Sequence, residues 1–153
     1  MRKKRILLID DEVGFTRLLK LSLEQLRDYD VRVENGPEQA VRAAREFHPD
    51  LVLLDMIMPR MIGNEVAERL RAEAGLIRTP IIFFSAVCTR NANDEWNRAF
   101  AAFPYIAKPA TVEEVIDRIE RHLPDNGAER HNRTGRGSEL CLNPPSSAGA
   151  LNL

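Results

Sequence analysis

The chain has 153 residues, enough for one domain with a sizeable buried core. Hydrophobic residues make up 44% and charged residues 29%, an ordinary globular balance, and a formal net charge of −1 gives no electrostatic footprint for nucleic acid. No apolar run approaches the roughly 18 residues of a membrane helix, and the basic residues 1–5 lead into an apolar piece too short for a signal-peptide core, so a cytoplasmic location is expected. Cys88 and Cys141 show no pairing pattern, and His48, His122 and His131 no metal-ligand spacing.

Residues 5–9 read as a short buried strand that ends at Asp10-Asp11-Glu12. Phe15, Leu18, Leu19, Leu23 and Leu26 then recur at helical spacing and predict an amphipathic helix. Val31 and Val33 alternate with polar neighbours, as on a half-exposed edge strand. Gly36-Pro37 opens a second helix, with proline where its missing N–H costs nothing; Ala40, Ala43, Ala44 and Phe47 form its apolar face, and His48-Pro49-Asp50 ends it.

Leu51-Val52-Leu53-Leu54 is an unbroken aliphatic run, the mark of a strand buried on both faces. It stops at Asp55, and Met56-Ile57-Met58-Pro59 turns the chain away. A loop to Gly63 follows, then a helix with Val66, Ala67 and Leu70 on one face, and Thr79-Pro80 ends the connection to the next strand. Ile81-Ile82-Phe83-Phe84 is another continuous apolar strand, closing on Ser85-Ala86. A polar loop over residues 89–94 precedes a fourth helix carrying Trp96, Ala99, Phe100 and Phe103. Tyr105-Ile106-Ala107 is a fifth strand ending at Lys108-Pro109. Thr111-Val112-Glu113-Glu114 is a capping box, and Val112, Val115, Ile116, Ile119 and Leu123 give the last helix its buried stripe before Pro124 stops it. From Asp125 onward Gly, Pro, Ser, Asn and Arg dominate, so the expected organisation is a domain over residues 1–124 and a flexible tail over 125–153.

Strand and helix alternate five times. That pattern implies a parallel sheet, helices on both faces and right-handed crossovers. All strand ends then lie on one rim, where open α/β sheets bind ligands. The rim gathers Asp10 and Asp11, Asp55, Ser85 and Lys108 from four strands distant in sequence. Crowded carboxylates repel, and a hard divalent cation removes that cost. Mg²⁺ suits the set: Asp11 and Asp55 can ligate directly, and Asp10 directly or through water. An ionised Asp55 can attack phosphorus, Lys108 supplies a charge for phosphoryl oxygens, and Ser85 a neutral donor. Each residue also has a plainer reading. Asp10-Asp11 can cap a helix, Asp55 can hold a turn, Ser85 can be a strand-end hydroxyl and Lys108 a solvated cation.

The motifs taken together resemble the receiver domains of the two-component response-regulator family. The resemblance rests on Ile6-Leu7-Leu8-Ile9 with Asp10-Asp11; Leu51-Val52-Leu53-Leu54 with Asp55 and Met58-Pro59; Gly63; Ser85-Ala86; and Tyr105-Ile106-Ala107-Lys108-Pro109. It spans residues 4–123. It implies a flavodoxin-like doubly wound (βα)₅ sheet of strand order 2-1-3-4-5. It further implies that Asp55 accepts a phosphoryl group from a sensor histidine kinase or a histidine phosphotransfer protein. Mg²⁺ would be held by Asp11, Asp55 and the carbonyl of Ile57, with Asp10 assisting. Ser85 would swing toward the phosphoryl group and Tyr105 turn inward as the switch, changing the face formed by the fourth helix, fifth strand and last helix. Lys108-Pro109 would be a cis peptide.

Some positions depart from the family pattern. Ala101 stands in place of a glycine, Phe103-Pro104 stiffens the approach to the fifth strand, and Ala110 replaces a bulky apolar residue. Ile57 and Val87 are both apolar where the family places residues along the path of hydrolytic water, which implies a long-lived aspartyl phosphate. The expected function is a phosphorylation-controlled switch without enzymatic turnover. It would act on an unidentified protein target, with no membrane or direct DNA contact expected. Two alternatives stand beside it. A haloacid-dehalogenase-type phosphatase would need a second aspartate where Ile57 stands. An interaction module would leave the site unused.

Overall fold

A computed structural model describes residues 2–86 and 103–124. In chain order the elements are β1 (Lys4–Ile9), α1 (Val13–Leu26), β2 (Tyr29–Glu34), a 3₁₀ turn (Pro37–Gln39), α2 (Ala40–Phe47), β3 (Leu51–Leu54), β4 (Ile57–Met58), β5 (Met61–Ile62), α3 (Gly63–Ala72), β6 (Ile81–Ser85), β7 (Tyr105–Ala107) and α4 (Val112–His122). The main sheet is parallel, in the order β2-β1-β3-β6-β7. Counting only its own strands, that is the expected 2-1-3-4-5. The predicted fourth helix with Trp96, the residues around Ala101, Val87 and the tail over 125–153 lie outside the described residues.

Strand alternation explains why the sheet needs helices on both sides. Ile6 and Leu8, Leu51 and Leu53, and Ile82 and Phe84 face one way and pack with Leu19 and Leu23 of α1 and Val115, Ile116 and Ile119 of α4. Leu7 and Ile9, Val52 and Leu54, and Ile81 and Phe83 face the other way and pack with Ala40, Ala43 and Ala44 of α2 and Val66, Ala67 and Leu70 of α3. Each fully buried aliphatic side chain contributes about 1.5–3 kcal/mol relative to exposure, so the three inner strands carry much of the driving force.

The capping box forms as expected. Thr111 Oγ1 accepts the Glu114 N–H at 3.2 Å, and the Glu114 carboxylate accepts the Thr111 N–H at 2.7 Å. The second helix begins later than read. Proline does open the turn, but the first turn is 3₁₀ and the α-helix starts at Ala40. Two leucines of the expected α1 stripe are not core, since Leu18 is 42% and Leu26 49% exposed. The segment after Asp55 is not a plain loop either. Ile57 pairs with Ile62 and Met58 with Met61 in a small antiparallel hairpin, turned by Pro59 and by Arg60 at φ 69°.

Candidate functional site

Strand register builds the rim. Ile9 is level with Leu54 on β1 and β3, and Leu54 with Phe83 on β3 and β6. One step beyond the paired residues, Asp10 and Asp55 leave neighbouring strands side by side. Ser85 is level with Ala107 on β7, which delivers Lys108 to the same edge. The Lys108 N–H donates to the Ser85 carbonyl at 2.9 Å, continuing the ladder past the strand end. The Lys108-Pro109 peptide is cis.

Asp10, Asp55 and Ser85 are buried, at 1%, 7% and 4% exposure. Asp11 is half-buried. One carboxylate oxygen from each of Asp10, Asp11 and Asp55 lies within 4.8 Å of the others. Lys108 Nζ donates to Asp10 Oδ2 at 2.6 Å and stands 3.9 Å from Glu12. Asp10 Oδ1 accepts the Glu12 N–H at 2.8 Å, so this aspartate organises the turn into α1 as well as facing the rim. Asp55 is anchored through its own N–H to the Ile9 carbonyl at 2.8 Å. Its Oδ1 accepts the N–H of Met56 at 2.7 Å and, at 3.4 Å, that of Ile57. The other oxygen of Asp55 thus has no place in that local turn.

Burial pushes the Asp55 carboxyl up to about 6; Lys108 opposes the rise, Asp10 adds to it, and the two N–H donors oppose it. A desolvated carboxylate beside two more, with the Lys108 ammonium paired to Asp10, is short of positive charge. That donor set fits a hard divalent cation, with all-oxygen ligands on a rigid rim.

The remaining residues expected at the site are also placed. Ser85 lies on the same sheet face as Phe83, and Tyr105, partly buried, packs against that face's core from β7. The Ile57 side chain is 51% exposed beside Asp55. Sequence reasoning missed Asn35. Its Nδ2 donates to the Asp10 carbonyl at 2.6 Å and to Thr16 Oγ1 at 3.0 Å, tying the acidic turn to α1. An asparagine before Gly36-Pro37 carries the signal of a turn residue and nothing that points across to β1.

Comparison with known proteins bears on this geometry. A family model for the response regulator receiver domain matches residues 6–120. The DNA-binding response regulator MtrA of Mycolicibacterium paratuberculosis is 31% identical, over 93% of this chain and 68% of its own length. YkoG of Bacillus subtilis, an uncharacterized transcriptional regulatory protein, is 34% identical over 84% of this chain and 55% of its own. Among solved structures, the receiver domain of the sensor histidine kinase PA1611 from Pseudomonas aeruginosa has a magnesium ion coordinated in its active-site cleft. It is similar at a TM-score of 0.66 and 28% identity, covering 78% of this chain and 97% of that one. The chemotaxis protein CheY4 of Vibrio cholerae reaches a TM-score of 0.71 at 21% identity, over 79% and 99% of the two chains, a likeness of fold.

Proposed function

The chain belongs to the response regulator receiver domain family, and from that premise we propose that Asp55 is its phosphoacceptor, within a receiver unit spanning residues 1–124. The observation that carries this is the single rim where Asp10, Asp11 and Asp55 converge within 4.8 Å and Lys108 pairs with Asp10 at 2.6 Å. A free oxygen of Asp55 attacks the phosphorus of a phosphohistidine on a sensor histidine kinase or histidine phosphotransfer protein. The new P–O bond forms as the P–N bond breaks, and the histidine nitrogen leaves with the electron pair and takes up a proton. The carboxylates of Asp11 and Asp55 and the carbonyl of Ile57 would hold Mg²⁺, with Asp10 assisting. When bound, Mg²⁺ neutralises charge on the phosphoryl oxygens. Lys108 offsets the added negative charge, and Ser85 donates to a phosphoryl oxygen as a neutral partner. Ser85 and Tyr105, on one face of adjacent strands, transmit the change toward β7 and α4.

This is signalling chemistry, since the transferred group ends on the protein itself. The phosphatase alternative lacks its general acid, because position 57 is an isoleucine, and the relatives named above are regulators. The expected output is contact with a protein target. MtrA is a DNA-binding regulator, so a mobility-shift assay on the full chain is the direct check: retardation of DNA moves the output from protein to nucleic acid.

Intact mass after incubation with Mg²⁺ and acetyl phosphate tests the central claim. The expected result is a gain of one phosphoryl group, absent in Asp55→Asn. A gain that persists in Asp55→Asn overturns it. The same sample, followed after the donor is removed, tests the apolar surroundings of Ile57. The expected phosphoprotein outlasts minutes, and a half-life of seconds contradicts that expectation.

A further inference from the structure

The Lys108 ammonium is held by more than charge. Nζ lies 4.3 Å from the centroid of the Phe15 ring and 5.3 Å from that of Phe84. The two rings meet at 5.4 Å with their planes tilted by 57°. Phe84 is 1% exposed inside the core, and Phe15 packs against that core from α1. The Lys108 side chain is itself only 11% exposed.

Among the described residues its one short ion pair is to Asp10, and Asp10 also belongs to the carboxylate cluster. Any cation held by that cluster competes with Lys108 for the same carboxylate. An ammonium that loses its partner in so dry a place must find another or swing out to water. An aromatic face holds a cation without carrying a charge, through the negative face of its quadrupole. It therefore retains the ammonium while leaving its positive charge for an incoming anion. Leucine would fill much of the same volume at either position, so packing alone does not call for two rings here.

We propose that Phe15 and Phe84 form an aromatic seat that positions the Lys108 ammonium for the phosphoryl oxygens arriving at Asp55. Both are positioning residues that act through Lys108. The inference rests on the reading of Lys108 given above. Four rotatable bonds carry the ammonium, and confining them beforehand spares the transfer that ordering cost.

The test uses the full chain with Mg²⁺ and acetyl phosphate, timing phosphoryl gain by intact mass. In that reaction the Asp55 oxygen–phosphorus bond forms as the acetyl oxygen–phosphorus bond breaks, and acetate leaves. The variants are Phe15→Leu, Phe15→Tyr and a chain with 3,4,5-trifluorophenylalanine at position 15. Fluorination withdraws charge from the ring face while nearly preserving its shape. Phe15→Tyr should match the wild type, whereas the leucine and trifluoro chains should slow about threefold to tenfold. A second readout needs no phosphoryl donor. In proton NMR without Mg²⁺, the Lys108 ε-methylene signals should be shifted upfield by the ring currents and move back in Phe15→Leu. The seat is overturned by a trifluoro chain that reacts at the wild-type rate, or by Lys108 signals that Phe15→Leu does not move. If Phe15→Leu fails to fold, the trifluoro chain decides. If the wild type gains no phosphoryl group, the phosphoacceptor reading fails, and the NMR comparison still decides whether the rings hold the lysine.

Discussion

A Cβ built on Gly63 would lie 2.4 Å from the carbonyl oxygen of Asp55 and 2.9 Å from Cα of Met56. Both are backbone atoms, so neither can step aside without moving Asp55. The Gly63 N–H donates to the Met56 carbonyl at 2.9 Å, which holds the start of α3 hard against the end of β3. The glycine is needed for close approach of two backbones. Gly63→Ala should cost about 1–3 kcal/mol, the range for overpacking a filled site. It should also weaken Mg²⁺ binding, because relief of the clash displaces Asp55. Urea denaturation and calorimetric titration of Mg²⁺ check the two effects, and a variant matching the wild type in both would show that the approach relaxes freely. That Asp55 stands at the rim was legible in the sequence because it ends an aliphatic run, and so was the placement there of Asp10 and Lys108. Asn35 was not, because its partners lie across the fold and its local signal is complete without them.

Among the elements, β2 closes one side of the sheet, and an open strand edge invites pairing with another chain. Side chains of α1 cover part of it. Glu24 accepts the Val31 N–H at 3.0 Å, and Lys20 donates both to the Val31 carbonyl and to Glu24, the latter at 3.0 Å. Burial alone would raise the Glu24 carboxyl, yet the Val31 N–H and then Lys20 outweigh it and hold the group below the usual carboxylate range. A carboxyl lowered by folding adds stability that is complete above its unfolded pKa of about 4.3 and is lost as pH falls through the lower folded value. Glu24→Gln keeps the shape without the charge. It should therefore be about 0.5 kcal/mol less stable at pH 7, and the gap should close below about pH 4. Urea midpoints across pH measure it, and a gap constant with pH would mean that the charge is not the source. Periodicity did disclose α1 and β2, but not this clasp, since it joins residues whose pairing depends on register. The β4–β5 hairpin escaped for a related reason. Its turn places Arg60 at φ 69°, where a glycine would have announced the bend.

For the whole molecule, the two packed faces and the rim pull in opposite directions. The inner strands are apolar on both sides and stabilise the fold wherever they are buried. The same burial leaves the Asp55 carboxylate 7% exposed beside two others, with Lys108 already committed to Asp10. The site is thus a cost carried by an otherwise well-packed domain, and a bound cation removes it. Asp55→Asn keeps an oxygen for the Met56 N–H but discards the buried charge. In chelator it should melt a few degrees above the wild type, since about 1 kcal/mol is worth roughly 4 °C in a chain of this size. With Mg²⁺ at a hundred times its dissociation constant, the wild type gains about 2.7 kcal/mol and should overtake the variant, which has lost a ligand. Paired thermal melts in chelator and in Mg²⁺ show whether the order inverts. An Asp55→Asn chain that melts below the wild type in chelator would mean that the carboxylate is stabilised by the protein alone. The cluster would then owe its geometry to the fold and not to a bound cation.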